Sequence, residues 1–284
     1  MPESTLKLPW EGDGLVARAL LAYARGTPNH PFKLRVFRAL ARSLTPKGVA
    51  LRDECGTKFL VDASDYIGHS ICFTGSYEPL SVGLSKRLMT GGGTFLDVGS
   101  NVGLFTCAVG SLPTVRCISV EAAATAFSKL LENLARNPHL LVAAVNVALA
   151  PHRTLVRLDK PSSGNLGTAR IAGAMDEREF GGHVVAAIPL DELLDQAKVE
   201  SIRLMKIDVE GFEPEVFEGL NFNASYRPEN IVMEWVEDPR AGRDNLRRSF
   251  YMLSENGYQP FAVTGERFAD AHSLPEENVW WRSC

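Results

Sequence analysis

From residue 80 onward, short apolar runs alternate with longer amphipathic ones, and few architectures accommodate that order. The apolar runs include TFLDVG, VRCISVEA, LLVAAVNVALA, IRLMKIDVEG and NIVMEWV. Between them lie segments of helical period: VGLFTCAVGSL, ATAFSKLLENLARNP, DELLDQAK, and EPEVFEGL, where Pro214 suits a first helical turn. Parallel neighbouring strands need a crossover, so strand, helix, strand in repetition winds into a parallel sheet. The expected class is α/β, with a doubly wound, mostly parallel sheet. Two strands, TLVRLD and HVVAAIPLD, flank a polar, Gly-rich loop and make an insertion over residues 151–189. After a helix near RDNLRRSFYMLSENG, the strands YQPFAV and NVWWRS close the chain.

Residues 1–79 read as an N-terminal helical and hairpin extension before the main domain of residues 80–284. In GLVARALLAYARG, Leu15, Val16, Ala19, Leu20 and Tyr23 share a helical face. In PFKLRVFRALARSL, Phe32, Val36, Phe37, Leu40 and Leu44 form a stripe, with Lys33, Arg35, Arg38 and Arg42 largely outside it. A basic amphipathic helix serves as a membrane-surface or partner-binding element, or as a cap with its stripe packed inward. The cap is the expected role here, and the same helices are candidates for a homodimer contact. GVALRDECGTKFLVDA predicts a hairpin turning near Glu54-Cys55-Gly56, whereas SDYIGHSICFTGSYEP reads as irregular.

The formal charge of −4 over 284 residues argues against a general nucleic-acid binder. No segment approaches the roughly 20 apolar residues of a membrane span; Leu140 to Ala150 contains Asn146 and reads as a buried strand. The first residues lack the basic-then-apolar pattern of a secretory signal. Five scattered cysteines without a C-x-x-C pair support neither a disulfide framework nor a zinc site, and fit a cytoplasmic protein.

In parallel sheets the ligand crevice lies beyond the carboxyl ends of the strands, and DVGSNVG occupies that place. A dinucleotide asks for G-x-G-x-x-G, but the register here runs Gly99, Asn101, Leu104. The spacing that fits is acid-x-G-x-x-x-G: Asp97, Gly99 and Gly103, with Ser100 and Asn101 between the glycines. It suits S-adenosyl-L-methionine, which carries an ammonium and a cationic sulfur and has no phosphate for an acid to repel. Glu121, ending the next strand, is placed to accept both ribose hydroxyls, although nicotinamide enzymes put an acid there too. Val147 and Ala148 would line the adenine pocket.

A wider pattern extends along the chain. FLDVGSNVGLFT, SVEA with LLENLARNP, VNVALA opening the insertion PSSGNLGTARI, IPLDELL, LMKIDVEGFEPEVFEGL and IVMEW occur in that order. This set resembles the FkbM-type family of S-adenosylmethionine-dependent methyltransferases over roughly residues 77–235, and the upstream GSYEP looks like that family's pre-domain segment. The resemblance implies a class I methyltransferase fold, Rossmann-like and seven-stranded, with S-adenosylmethionine as donor. It also implies O-methylation of a hydroxyl on a sugar, polyketide or related metabolite in natural product biosynthesis. Ala122 departs from the proline that commonly follows the acid in the family.

Methyl transfer to an alcohol needs a base, or a divalent metal that acidifies the hydroxyl. Along LMKIDVEG, strand alternation puts Leu204, Lys206 and Asp208 on one face, with Glu210 joining unless the turn at Gly211 begins earlier. Asp208 is the first candidate for general base and Glu210 the second, with Lys206 orienting them or neutralising an oxyanion. Asp208, Glu210, Glu234 and Asp238 are oxygen donors near adjacent strand ends but form no compact ligand motif, so the dependence on a divalent metal stays open. Glu78 is a candidate for the donor's methionine end or the acceptor, or simply a helix N-terminal acid. His69, Asn165 and His183 lie in segments that could cover the acceptor. A nicotinamide-dependent oxidoreductase and a non-catalytic module docking through residues 32–44 are the other readings.

Overall fold

The computed structural model describes residues 10–159, 171–174, 183–235, 243–270, 273–274 and 278–284. The described residues open with β1 (Glu11–Gly12), α1 (Leu15–Gly26) and α2 (Lys33–Leu44), followed by the antiparallel hairpin β2 (Val49–Arg52) and β3 (Lys58–Val61). β1 adds to this hairpin, giving a three-stranded sheet in the order β1-β2-β3. The stretch read as irregular is instead the helix α3 (Tyr66–Thr74). Its start is Asp65, whose carboxylate accepts from the Tyr66 backbone, and its stop is Gly75 in the left-handed region.

The two N-terminal helices bury only part of their apolar stripes, Leu20 in α1 and Phe37 in α2. α1 buries Ala17, Leu20, Leu21 and Ala24 and leaves Leu15 and Val16 exposed. α2 buries Lys33, Phe37 and Ala41. Phe32, Val36, Leu40 and Leu44 all face solvent. Lys33 is tolerated inside because its ammonium donates to the Thr27 carbonyl at 2.6 Å.

α4 (Pro79–Leu88) leads into the main sheet: β4 (Gly93–Val98), α5 (Leu104–Gly110), β5 (Val115–Val120), α6 (Ala124–Ala135) and β6 (Leu141–Val145). The run read as a single buried strand over residues 140–150 breaks at Asn146, whose side-chain amide donates to the Glu121 and Ala122 carbonyls. β6 is therefore a half-exposed edge strand. Beyond the break, β7 (Ala148–Leu149) joins β8 (Thr154–Leu158), β9 (Ile171–Ala174) and β10 (His183–Ile188) in a second sheet ordered β7-β10-β8-β9. β9 lies within the segment read as a Gly-rich loop.

The α/β rhythm resumes with α7 (Leu190–Gln196), β11 (Leu204–Ile207), α8 (Glu213–Glu218), β12 (Asn230–Glu234) and α9 (Arg243–Glu255), and ends with β13 (Tyr258–Ala262) and β14 (Asn278–Ser283). The seven-stranded order is β13-β14-β12-β11-β4-β5-β6. Only β14 runs antiparallel to its neighbours β12 and β13. This is the class I methyltransferase arrangement, with the last strand inserted between the two before it. β4 and β11, at the centre, are buried on both faces because helices cover both, and they are apolar apart from Thr94, Asp97 and Lys206.

The N-terminal unit is fastened to the main sheet by buried polar contacts. Asn133 of α6 accepts from the Leu60 backbone and donates to the Val102 carbonyl at 2.9 Å, and Asn137 repeats the pairing on Lys58. Its apolar core includes Val102, Leu104 and Cys107. The glycine-rich loop is thereby held from the extension side as well as from the sheet.

Candidate functional site: a cleft at the strand ends

The carboxyl ends of β4, β5, β11 and β12 open into one cleft of about 1060 Å³ including its mouth. Its floor is the loop after β4. Gly99 takes a φ of 76°, and a Cβ there would collide with the Asp208 carbonyl oxygen. Glycine is therefore what allows the β4 and β11 ends to approach each other. Gly103, also at positive φ, starts α5 and does not itself line the cleft, whereas Gly99, Ser100 and Asn101 do.

Three non-glycine residues lining the cleft also sit in the left-handed region: Glu78 at φ 46°, Asn101 at 50° and Glu210 at 58°. Such residues adopt this conformation at a cost, and the strain concentrates where a fold positions functional groups.

On one side of β4, Glu121 directly follows β5. Its two carboxylate oxygens accept from the Asn101 and Ala123 backbones, at 2.8 and 2.7 Å. These bonds aim the carboxylate and leave each oxygen a further lone pair for a ligand hydroxyl. Burial pushes the Glu121 carboxyl up to about 7, although both N–H bonds pull the other way. Ala122, Val147 and Ala148 line the wall beside it, continued by Leu149 and Leu158 of the second sheet.

On the other side of β4 the site is acidic. Lys206 is buried, with its ammonium 2.8 Å from Asp208 Oδ2 and 4.9 Å from the Phe105 ring centroid. Burial works against its charge, yet Asp208, Asp97 and Glu78 together outweigh it, and the Lys206 pKa is raised. Asp208 retains more access, with 27% of its side chain exposed against 5% for Lys206. β11 ends at Ile207, so the turn begins before Glu210, which reaches the cleft through its positive φ and not by strand alternation. The following helix is organised by Glu213, whose Oε1 accepts from the Val209 and Gly211 backbones at 3.2 Å.

Asp97 lies elsewhere than at the cleft's entrance. It is fully buried and absent from the lining, with Oδ2 accepting from the Thr106 hydroxyl at 2.6 Å and Oδ1 without a partner among the described residues. Burial raises its pKa against the opposing pull of Lys206. It faces the site through Lys206 and not directly. Glu78 does line the cleft, where its Oε2 accepts from Asn278 at 2.7 Å. Burial raises its pKa too.

His69 and His183 are outside the site. His69 packs on Phe73, 4.6 Å between centroids, while α3 presents Tyr66 and Ile67 to the cleft instead. His183 is exposed at the start of β10. Asn165 and Asp238 lie outside the described residues. Glu234, foreseen only as a metal-side oxygen, lines the cleft, its carboxyl pushed up to about 9 by Asp208, then by burial and Glu210. It ends an apolar strand, as Asp97 and Glu121 nearly do, and that was its available signal. Tyr77, whose pKa is raised by burial and by Glu78, Asp208 and Glu234, gave none.

The residues fit a cation better than an anion. Glu78, Asp208, Glu210 and Glu234 line one end beside the ammonium of Lys206, with Asp97 behind it. An ammonium and a sulfonium would find compensating charge there, and a ribose would find Glu121.

Among solved structures, an O-methyltransferase from Bacillus cereus in complex with SAH is 14% identical, with a TM-score of 0.44 over 72% of this chain and 80% of that one. A human methyltransferase 10 domain containing protein is 11% identical, with a TM-score of 0.44 over 90% and 99%. The AMB antimetabolite synthetase AmbE of Pseudomonas aeruginosa is 29% identical over 236 residues, 65% of this chain. The chain spans 11% of that protein's length. The sequence profile described as Methyltransferase FkbM domain matches residues 97–260, more than half of the chain. The chain therefore belongs to the FkbM family of methyltransferases, whose methyl donor is S-adenosylmethionine.

Proposed function

We propose that the methyl group goes to a hydroxyl oxygen of a small molecule, with Asp208 as the base. The observation that carries this is the Lys206–Asp208 pair, across β4 from Glu121 and partly open to the cleft. The donor supplies a methyl group already activated by its cationic sulfur. Gly99, Ser100, Asn101, Glu121, Ala122, Val147 and Ala148 would hold its nucleoside, and Glu78 its amino-acid end. A neutral amine attacks without losing a proton first, whereas an alcohol needs one removed as it reacts. A held carboxylate beside the methyl site is therefore what an oxygen acceptor demands.

In this reading Lys206 fixes Asp208 by its Oδ2, and Asp208 takes the hydroxyl proton. Glu234, whose carboxyl keeps its proton at neutral pH, limits the negative charge gathered beside Asp208. Tyr66 and Tyr77, 6.2 Å apart and edge to face, line the cleft and would border the acceptor. The similarity to AmbE, an antimetabolite synthetase, supports a small-molecule acceptor.

The test pairs calorimetry with S-adenosylhomocysteine and methyl transfer from labelled donor to panels of hydroxyl- and amine-bearing compounds. Asp208→Asn should retain S-adenosylhomocysteine binding and lose about 10²–10⁴-fold in turnover, the usual share of a general base. Full turnover in that variant, or transfer to nitrogen alone, would refute the proposal.

A further inference from the structure

The segment that carries α2 is strongly basic in a chain that is acidic overall. Between Gly14 and Arg52 lie eight of the chain's 30 Lys and Arg and none of its 34 Asp and Glu. Four of those cations have structural work. Arg25 donates to the Trp10, Ile71 and Cys72 carbonyls, Lys33 to Thr27, Arg18 to Gly12, and Arg52 pairs with Asp13. Arg35, Arg38, Arg42 and Lys47 make no hydrogen bond or ion pair among the described residues.

Beside those cations runs an exposed apolar edge. Phe32, Val36, Leu40 and Leu44 recur every four residues along the helix, with Phe32 63% and Leu44 55% exposed. α1, packed against α2, also exposes Leu15, at 84%. Arg35, Arg38 and Arg42, at spacings of three and four, occupy the opposite flank. The helix extends about 18 Å.

We propose that this face docks on an anionic lipid surface, with α2 lying in the interface plane. A helix with large apolar groups along one edge and arginines along the other is suited to that position. The arginine stems can lie over the apolar boundary while their guanidiniums reach the phosphates. The opposite charges of this segment and the rest of the chain orient the molecule, and screening over about 8 Å removes the repulsion of its distant acidic parts. An acidic partner helix would offer the same charge, but its fixed contour needs a groove. Among the described residues, two grooves beside α2 are lined by none of Phe32, Val36, Leu40 and Leu44. A fluid surface makes no such demand.

The proposal is independent of the methyl acceptor. α3 connects the two regions: Phe73 packs on Phe37 of α2 at 5.0 Å, and Tyr66 and Ile67 line the cleft.

The test is co-sedimentation of the whole protein with phosphatidylcholine vesicles, with and without phosphatidylglycerol. Binding should require phosphatidylglycerol and fall as salt rises. Each Lys or Arg near such a surface strengthens binding about five-fold. Arg35→Gln, Arg38→Gln and Arg42→Gln together should therefore weaken it about 100-fold. Phe32→Ser with Val36→Ser and Leu40→Ser should weaken it at constant charge. Unchanged S-adenosylhomocysteine affinity would show that both variants remain folded. Two results overturn the proposal: no vesicle binding, whether or not polyglutamate binds, or equal binding to both vesicle types.

Discussion

Removing the Lys206 ammonium by Lys206→Met tests whether the acidic end of the cleft depends on a single buried cation. At 2.8 Å, Coulomb's law with an effective dielectric of about 20 gives a gross attraction of about 6 kcal/mol to Asp208 alone. Part of this is offset by the dehydration of Lys206 and by solvent at Asp208. Deleting one partner of a buried pair typically costs about 3–5 kcal/mol. The fully buried Asp97 would then keep only the Thr106 hydroxyl, so Asp97→Asn in the same background should recover a substantial part of the loss. The assay is urea unfolding at pH 7 and pH 5. The folded Lys206 pKa lies above its ordinary 10.5, so its contribution is fully present at both pH values and is lost only as pH rises through the folded value. In Lys206→Met, Asp97 and Glu78, whose pKa values are already raised, take up protons as pH falls, and the deficit should shrink at pH 5. A variant within about 1 kcal/mol of wild type at pH 7, or a deficit that grows at pH 5, would refute the reasoning, since a lost buried pair exceeds that.

Gly99→Ala should destabilise the fold by at least the roughly 1–2 kcal/mol of a left-handed alanine. It should also weaken S-adenosylhomocysteine binding more than ten-fold by calorimetry, at a residue with no side chain to lose. Glu121→Gln puts an NH₂ against one of two backbone donors. A cost of about 1–3 kcal/mol in donor binding should result, read by titration. Glu234 carries its proton to about pH 9 in the folded chain, whereas the unfolded carboxyl loses it near 4.5. The folded state therefore binds more protons over that window, and stability falls as pH rises, by at most about 1.4 kcal/mol per unit for one group. Glu121 and Glu213 act similarly but only to about 7. Glu234→Gln should thus flatten the melting-temperature profile most between pH 7 and 9, and an unchanged slope there would count against the assignment.

The sheet was legible because β4, β5, β11 and β12 are largely buried and read as predominantly apolar runs. Strand-end acids were legible for the same reason, since Asp97 and Asp208 stand out against Ile, Val and Leu. Periodicity failed where the tertiary context chose between faces. α2 has apolar residues around more than half its girth, and which of them are covered depends on Phe73 of α3, not on the helix itself. α3 was missed although Asp65 and Gly75 mark its ends, because its apolar and small residues show no single stripe. The break after β6 turns on one amide, Asn146, reaching the Glu121 and Ala122 carbonyls. Glu78 was identifiable as an acid before a helix, but its orienting partner Asn278 is 200 residues away. No local pattern encodes that pairing.

The charge distribution also bears on the choice of cofactor. A pyrophosphate needs a helix N-terminus left unopposed by acids. Here the loop into α5 faces Glu121, whose carboxylate already takes the Asn101 backbone donor that a phosphate oxygen would want. Across β4 stand Asp208 and Glu210, beside an ammonium already committed to Asp208. Two added negative charges would raise the free energy of every carboxylate present, while a net cationic donor lowers it. The electrostatics alone thus disfavour a nicotinamide dinucleotide, independently of the missing third glycine. The same reasoning makes a distinct demand on the product: once its sulfur is neutral, the spent donor loses one attraction to the acidic end. Titrated side by side at low salt, S-adenosylmethionine should bind more tightly than S-adenosylhomocysteine. The gap should narrow when Asp208 is changed to Asn, and a reversed order in the native protein would break this account of the cleft.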